Sequence, residues 1–413
     1  MRVLLFGSGA REAALAKKIK ESKLLDELYY AQTGAFCDKD KVIEFCDFYN
    51  LAENAKKLGI DLLVVGPELP LAQGIYDIFK EFKINTIGAN KYWAQLESSK
   101  SFAKEFMEKF NIKTAPYKLI EYPGQINDSL SEALLKFENL PVIKADGLAM
   151  GKGVFLPSNI DEARLYALEA LGGKFGSASK KILFEKRLFG RELSVFSLWD
   201  GKTLVSFDPA GDFKKLKDND KGENTGGMGA CFPCVLNAAE KKSLDDYLKK
   251  LENALLSSKA DFCGVIYSGL MLADDEVYVL EYNMRFGDPE IQCILEVFEN
   301  DILDVFEKMT QGRLRDVKLR FKNEPSFCVV LASQGYPSKY ECGHEILNLD
   351  CVKKYGVNVF FAGVRAEKGK YYSAGGRVLS LVKSGDSALI SIYFAARDIK
   401  YKGKIYRHDI NLR

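Results

Sequence analysis

The chain has 413 residues, 47% hydrophobic and 28% charged, which fits a globular protein with room for two to four domains and a large core. Its 59 Lys and Arg against 57 Asp and Glu leave a formal net charge of +2, so no global field steers it to nucleic acid or to a membrane. Its two histidines, His344 and His408, argue against a histidine triad or a histidine general base.

Too few residues precede Gly7 for a secretory core, and no apolar run approaches membrane-spanning length, so a cytoplasmic location is expected, with a monomer as the default. The nine cysteines are scattered and sit mostly in apolar runs, which reads as buried thiols. Cys231 and Cys234 form a C-x-x-C with no second pair, which discounts zinc. In the first hundred residues, strands are predicted at 3–6, 27–31, 62–65 and 84–87, and helices at 12–22, 51–58 and 72–82. That alternation predicts a parallel sheet with helices on both faces. Its ligand edge carries Gly7-Ser8-Gly9-Ala10-Arg11 and Gly66-Pro67-Glu68. Glu12 takes the third glycine position of a dinucleotide fingerprint, which leaves a backbone nest at Gly9 with Arg11 nearby, suited to a single phosphate.

A helix over 98–110 puts Lys100 in its first turn, where a cation is unfavourable unless an anion lies close. Strand, glycine loop and strand from Pro141 to Leu156 predict a hairpin flap whose Lys144 and Lys152 can close over phosphates. It is not a P-loop, because Gly153 follows Lys152 and the glycine spacing is one residue short. The strand at 182–188 is a connector able to lie against a purine, and the polar loop 212–229 is too glycine-dense for a linker. A helix at 245–256 precedes an antiparallel hairpin, 265–272 and 277–282, across Asp274-Asp275-Glu276.

Strand alternation places Glu281 and Asn283 on one face with Val277 and Val279, and Tyr278, Leu280 and Tyr282 on the other. With Cα atoms roughly 6 to 7 Å apart, one carboxylate and one amide oxygen can reach the same Mg²⁺. Arg285 continues that face, able to grip a carboxylate or phosphate through two hydrogen bonds. Gly287 permits a bend, Asp288 is an expected N-cap, and Pro289 suits the first helical position. Strands at 326–333, 359–364 and 378–382 with a helix at 387–397 predict a small α+β domain in which Gly375-Gly376 aims Arg377.

These motifs, in this order, resemble the ATP-grasp superfamily and, within it, the glycinamide ribonucleotide synthetase (phosphoribosylamine glycine ligase) family. The resemblance is carried by Val65-Gly-Pro-Glu68, Gln95-Leu-Glu97 with Ser99-Lys100, Lys144-Ala-Asp-Gly-Leu-Ala with Gly151-Lys152-Gly153, Asn224-Thr-Gly-Gly-Met-Gly229, Glu281-Tyr-Asn283 with Arg285-Phe-Gly-Asp-Pro-Glu290, and Gly375-Gly-Arg377. It implies an α/β and α+β multidomain protein: an N-terminal parallel α/β (pre-ATP-grasp) domain over 1–99, an ATP-grasp domain over 100–320 with a mobile lid over 114–188, and a small C-terminal α+β domain over 321–413. It also implies a ligase of de novo purine synthesis using ATP and Mg²⁺, with Mn²⁺ able to substitute, to join glycine to 5-phosphoribosylamine through a glycyl phosphate. On that resemblance Lys100, Lys144 and Lys152 hold ATP phosphates, and Glu185, Leu188 and Glu192 take adenine and ribose. Glu281 and Asn283 hold the metal, and Arg285 and Asp288 are the catalytic pair facing glycine and the acyl phosphate. Gly9, Arg11, Glu68, Asp212, Asn224, Gly226, Gly227 and Arg377 receive the phosphoribosyl substrate.

Three positions depart from the family pattern: Ala13 and Phe213 stand where histidines are usual, and Gln32-Thr33-Gly34 replaces Pro-Gly-Asn. The rival readings are another ATP-grasp carboxylate ligase, including the biotin-carboxylase type, and a non-catalytic nucleotide-binding homologue. The carboxylase type usually carries a metal-binding carboxylate on the strand before Glu281, where this chain reads Tyr267-Ser-Gly269.

Overall fold

The computed structural model describes residues 1–149 and 153–412, so Lys152 lies outside the described residues. The strand Arg2–Phe6 is apolar after its first residue, as burial on both faces requires. It lies between Glu27–Tyr30 and Leu62–Val65, with Asn85–Ile87 beyond, all parallel. The order reverses between Arg2–Phe6 and Leu62–Val65, and the crevice outside their carboxyl ends is where such sheets bind ligands. The helix predicted at 72–82 is two helices, Glu68–Ala72 and Ile75–Glu81, because Gly74 adopts a left-handed φ of 91° between them. Ser99 starts the helix Lys100–Lys109, its hydroxyl accepting from the Phe102 amide at 3.2 Å. The helix expected at 245–256 begins earlier and runs Ala238–Ser257, because Asn237 and Glu240 form a reciprocal cap.

The lid is a four-stranded sheet, in the order Tyr117–Ile120, Ile182–Glu185, Val142–Ala145 and Val154–Phe155, backed by the helices Ile126–Phe137 and Ile160–Glu169. It encloses its own apolar core, separate from the two that fill the rest of the molecule. The predicted flap is the antiparallel pair Val142–Ala145 and Val154–Phe155.

Opposite the lid, Leu204–Ser206, Arg191–Trp199, Gly264–Ala273 and Glu276–Asn283 form an antiparallel sheet with the last strand at its edge. The turn into that strand uses Asp274 and Asp275 at φ 51° and 61°, both left-handed, as a two-residue hairpin requires. The C-terminal strands Ser326–Ser333, Asn358–Phe361 and Arg377–Ser384 do not make a sheet alone: Gly211–Asp212 and Gly229–Phe232 from the middle of the chain extend it. The loop between those two central strands is thereby held against the C-terminal segment. No helix among the described residues is long and apolar enough to cross a membrane.

Candidate active site

The strand Glu276–Asn283 departs from simple alternation. Val279 faces Leu270 and Glu281 faces Gly269, so Leu280 is an extra, bulged residue. Val277, Val279 and Tyr282 therefore all enter the core, and Glu281 and Asn283 share the opposite, open face. The expectation that Glu281 and Asn283 share a face with Val277 and Val279 is thus corrected, and the two oxygen donors still point to one side. Gly269 makes room for Glu281, since a Cβ there would stand 3.0 Å from its Cγ.

Three lysines converge on this face. Lys214 Nζ lies 3.3 Å from Glu192 and 3.7 Å from Glu281, and Lys144 Nζ donates to the bulged Leu280 carbonyl at 3.3 Å. Lys100 Nζ reaches the Gly147 carbonyl at 3.5 Å, and its pKa is lowered by burial. Burial would raise the Glu281 pKa, but Lys214, Lys144, Lys100 and Arg285 outweigh it and hold the carboxyl below its ordinary value. Lys214 is itself held above the ordinary lysine value: burial opposes its charge, but Glu192, Tyr267, Glu281 and Asp212 outweigh burial.

Glu185 is buried between Lys104 and Lys144, one carboxylate oxygen on each. Its carboxylate is held by these two ammonium groups. Burial raises its pKa and the two lysines lower it further, with a net fall. Lys104, brought to about 8 by burial, also donates to Thr114 at 2.6 Å and the Ala115 carbonyl at 3.1 Å. Leu188 is half-buried in the connector that follows.

Arg285, expected to grip a carboxylate or phosphate, is met here by protein acceptors. It lies 3.1 Å from Glu97 and 3.4 Å from Glu68, and donates to Asn283 Oδ1 at 3.3 Å. Burial pushes the Glu97 carboxyl up to about 7. Glu68 is lowered instead, because Arg285 and Arg11 outweigh its burial. The nest expected at Gly9 is filled from within: the Gly9 amide donates to Glu12 at 2.7 Å, and a Cβ on Gly66 would collide with that carboxylate. Arg11 is bound to Glu12 and to the Phe286 carbonyl.

Asp288 does not cap a helix. The helix Glu290–Val297 starts after Pro289, and Asp288 accepts from Gln292 at 2.8 Å and from Arg377 at 3.0 Å. Burial raises its pKa, but Arg377 and Arg11 bring it below the ordinary value. Arg377 also donates to the carbonyls of Gly226 at 2.6 Å and Asp288 at 2.7 Å, tying the glycine-rich loop to the turn after the strand Glu276–Asn283. Gly227 needs its glycine, at φ 111° with Pro289 and Asp212 where a side chain would go. Asp212 is buried and raised well above its ordinary value by burial and by Glu290. Asn224 closes the short hairpin Lys215–Lys217 and Lys221–Asn224 that leads into this loop.

Comparison with known proteins matches this architecture end to end. The family descriptions are phosphoribosylglycinamide synthetase N domain over residues 1–97, ATP-grasp (A) domain over 98–291 and C domain over 326–413. The chain belongs to the phosphoribosylglycinamide synthetase family. It is 40% identical over 421 residues to the phosphoribosylamine–glycine ligase of Clostridium acetobutylicum, covering 99% of each chain. With that of Fusobacterium nucleatum it shares 38% over 431 residues, covering 99% of this chain and 98% of the relative. The crystal structure of the phosphoribosylamine–glycine ligase of Thermotoga maritima superposes with a TM-score of 0.83 at 30% identity, covering 100% of both. This is an ATP-dependent ligase family on an ATP-grasp fold, acting on small molecules.

Against the family pattern, Ala13 is buried in the helix Ala10–Lys20 and Gln32 is half-buried after the second strand. Phe213 is buried beneath the Arg407 guanidinium, 5.0 Å from ring centre to cation. Four residues of the site escaped assignment from sequence. Lys104 lies one helical turn after Lys100, Lys214 two residues after Asp212, and Glu97 and Glu290 inside motifs already noted. Their spacing could have flagged them, but no local pattern shows which charges meet across elements.

Proposed function

We propose that the protein joins glycine to 5-phosphoribosylamine at the expense of ATP, as a step of purine synthesis. A glycine carboxylate oxygen attacks the γ-phosphorus of ATP and ADP leaves. The amine nitrogen then attacks the carbonyl carbon of the glycyl phosphate, inorganic phosphate leaves, and the nitrogen gives up a proton. The observation that carries the reading is Glu281, kept ionised on an open face beside Asn283 and among Lys100, Lys144 and Lys214. Two protein oxygens suit Mg²⁺, which takes few protein ligands and fills its octahedron with phosphate oxygens and water. No group of three or more His, Cys, Asp or Glu able to hold a metal occurs among the described residues. When bound, the metal neutralises charge on the transferred phosphoryl group.

Lys100 and Lys144 neutralise the polyphosphate tail, joined by Lys152, and the connector at Leu188 with Glu192 receives the nucleoside. Glu185 acts by spacing Lys144 rather than by touching the nucleotide. Arg285 and Asp288 bound the glycine side, each fixed by protein partners in advance, as positioning catalysis requires. The phosphoribosyl group enters the crevice between Arg11, Glu68, Asp212 and the loop that begins at Asn224, with Arg377 behind it. The functional units are residues 1–99, 100–320 with a lid at 114–188, and 321–413.

The test measures ADP release from purified protein with Mg²⁺, glycine and freshly generated 5-phosphoribosylamine. Turnover requiring all three, abolished by chelation and restored by Mg²⁺ or Mn²⁺, is expected. Turnover with bicarbonate or another amino acid but not glycine would assign a different ligase. ATP binding without ADP release would assign a nucleotide-binding homologue.

A further inference from the structure

Residues 404–412 run back beneath the glycine-rich loop. Lys404–Ile405 pairs with Ser326–Ser333, and the chain then passes under the hairpin Lys215–Lys217 and Lys221–Asn224. Arg407, 1% exposed, fills the space below. Its Nε and Nη2 donate to Asp409 at 2.8 and 2.6 Å, and its Nη1 donates to Asp220 at 2.8 Å and the Lys215 carbonyl at 3.1 Å. Its plane lies over Phe213. Two more bonds close the grip: the Asn219 amide donates to Asp409 and the His408 amide to Asp218, both at 2.8 Å. A buried guanidinium with five donors is a rigid fork, and here its partners all lie on the tail or on the segment it underlies.

What stands on that segment is chemical. Lys214, between Phe213 and Lys215, points at Glu192 and Glu281. Thr225 amide and hydroxyl donate to the Lys214 carbonyl at 2.8 and 2.7 Å, so the two feet of the hairpin are locked together. From Thr225 the chain enters Gly226, whose amide donates to the Tyr336 hydroxyl at 2.9 Å.

We propose that Arg407 is a positioning residue for the phosphoribosylamine half-reaction: through Phe213, the Lys215 carbonyl and Asp220 it fixes residues 212–227 and so sets Lys214 and the glycine-rich loop against the Glu192–Glu281 face. The inference rests on the ligase reading above. Lys100 and Lys144 belong to elements the tail does not touch, so their hold on the polyphosphate is spared, and only Lys214 shifts on the ATP side.

The experiment uses the full chain, as Arg407→Met and Arg407→Lys, with steady-state kinetics and hydrogen exchange resolved to residues 214–227. For Arg407→Met, kcat/KM for 5-phosphoribosylamine falls about tenfold or more, exchange across 214–227 accelerates, and the loss in kcat/KM for ATP is the smaller of the two. Arg407→Lys keeps the cation over Phe213 but not the fork, and recovers part of the loss. Unchanged kinetics, or an equal loss toward both substrates with exchange at 214–227 as in the wild type, overturns the proposal. If Arg407→Met does not fold, Asp220→Ala removes one bond at an exposed carboxylate and is read the same way. Should the wild type make no product from glycine and phosphoribosylamine, the ligase reading fails, and wild-type exchange at 214–227 in Arg407→Met would still sink the clamp separately.

Discussion

Glu97→Gln offers a prediction whose sign is unusual. The carboxylate is buried, with one oxygen accepting from the Met284 amide at 2.7 Å and the other 3.1 Å from Arg285. Burial raises its pKa from 4.5 to about 7; Arg285 opposes the rise, and Glu68, competing for the same guanidinium, adds to it. A carboxyl with a folded-state pKa above its unfolded value binds its proton more tightly when folded. Its contribution to stability is therefore fullest below about pH 4.5, is lost as pH rises through 7, and stays lost above. A rise of that size corresponds to about 3 kcal/mol of cost to the ionised form. Glutamine keeps the shape and the acceptor for Met284 without the charge, but turns its amide toward Arg285 at a cost of about 1 kcal/mol. The variant should gain about 2 kcal/mol over the wild type at pH 8 and lose that advantage near pH 5. Urea unfolding of both proteins at the two pH values reads it, while turnover drops because Arg285 is left with Glu68 alone as its anionic partner. A variant less stable than the wild type at pH 8, or one whose advantage does not shrink in acid, refutes the reasoning.

Glu281→Gln should fold as the wild type does by circular dichroism yet lose turnover about a thousandfold, since a neutral amide replaces the ionised oxygen ligand. Wild-type rates would remove Glu281 from the mechanism. Arg377→Met strips Asp288 of its cation and frees the Gly226 carbonyl; it should cost about 3 kcal/mol in denaturant unfolding and raise the KM for 5-phosphoribosylamine more than that for ATP. Lys104→Met leaves Glu185 with Lys144 alone. It should lower stability by about 2 kcal/mol and weaken ATP binding in calorimetry, because Lys144 is drawn toward the carboxylate; unchanged ATP affinity would show that Lys144 is held by other means.

Much of this molecule was legible in the chain alone. The parallel sheet followed from apolar runs separated by helical periods, because a strand buried on both faces must be apolar throughout, and Arg2–Phe6 and Leu62–Val65 nearly are. The flap, the hairpin over Asp274-Asp275 and the pairing of Glu281 with Asn283 on one face followed from glycine placement and strand geometry. What the sequence could not decide is where charges end up once distant elements meet. The bulge at Leu280 depends on register with Gly269 and turns Glu281 from the expected core face to the cleft. Glu185 meets Lys104, Arg285 meets Glu68 and Glu97, and Arg377 meets Asp288 across separations of 81 to 217 residues. Periodicity reports which side of its own element a residue occupies. Ion pairing depends on which other element packs against that side, and only the folded chain decides that.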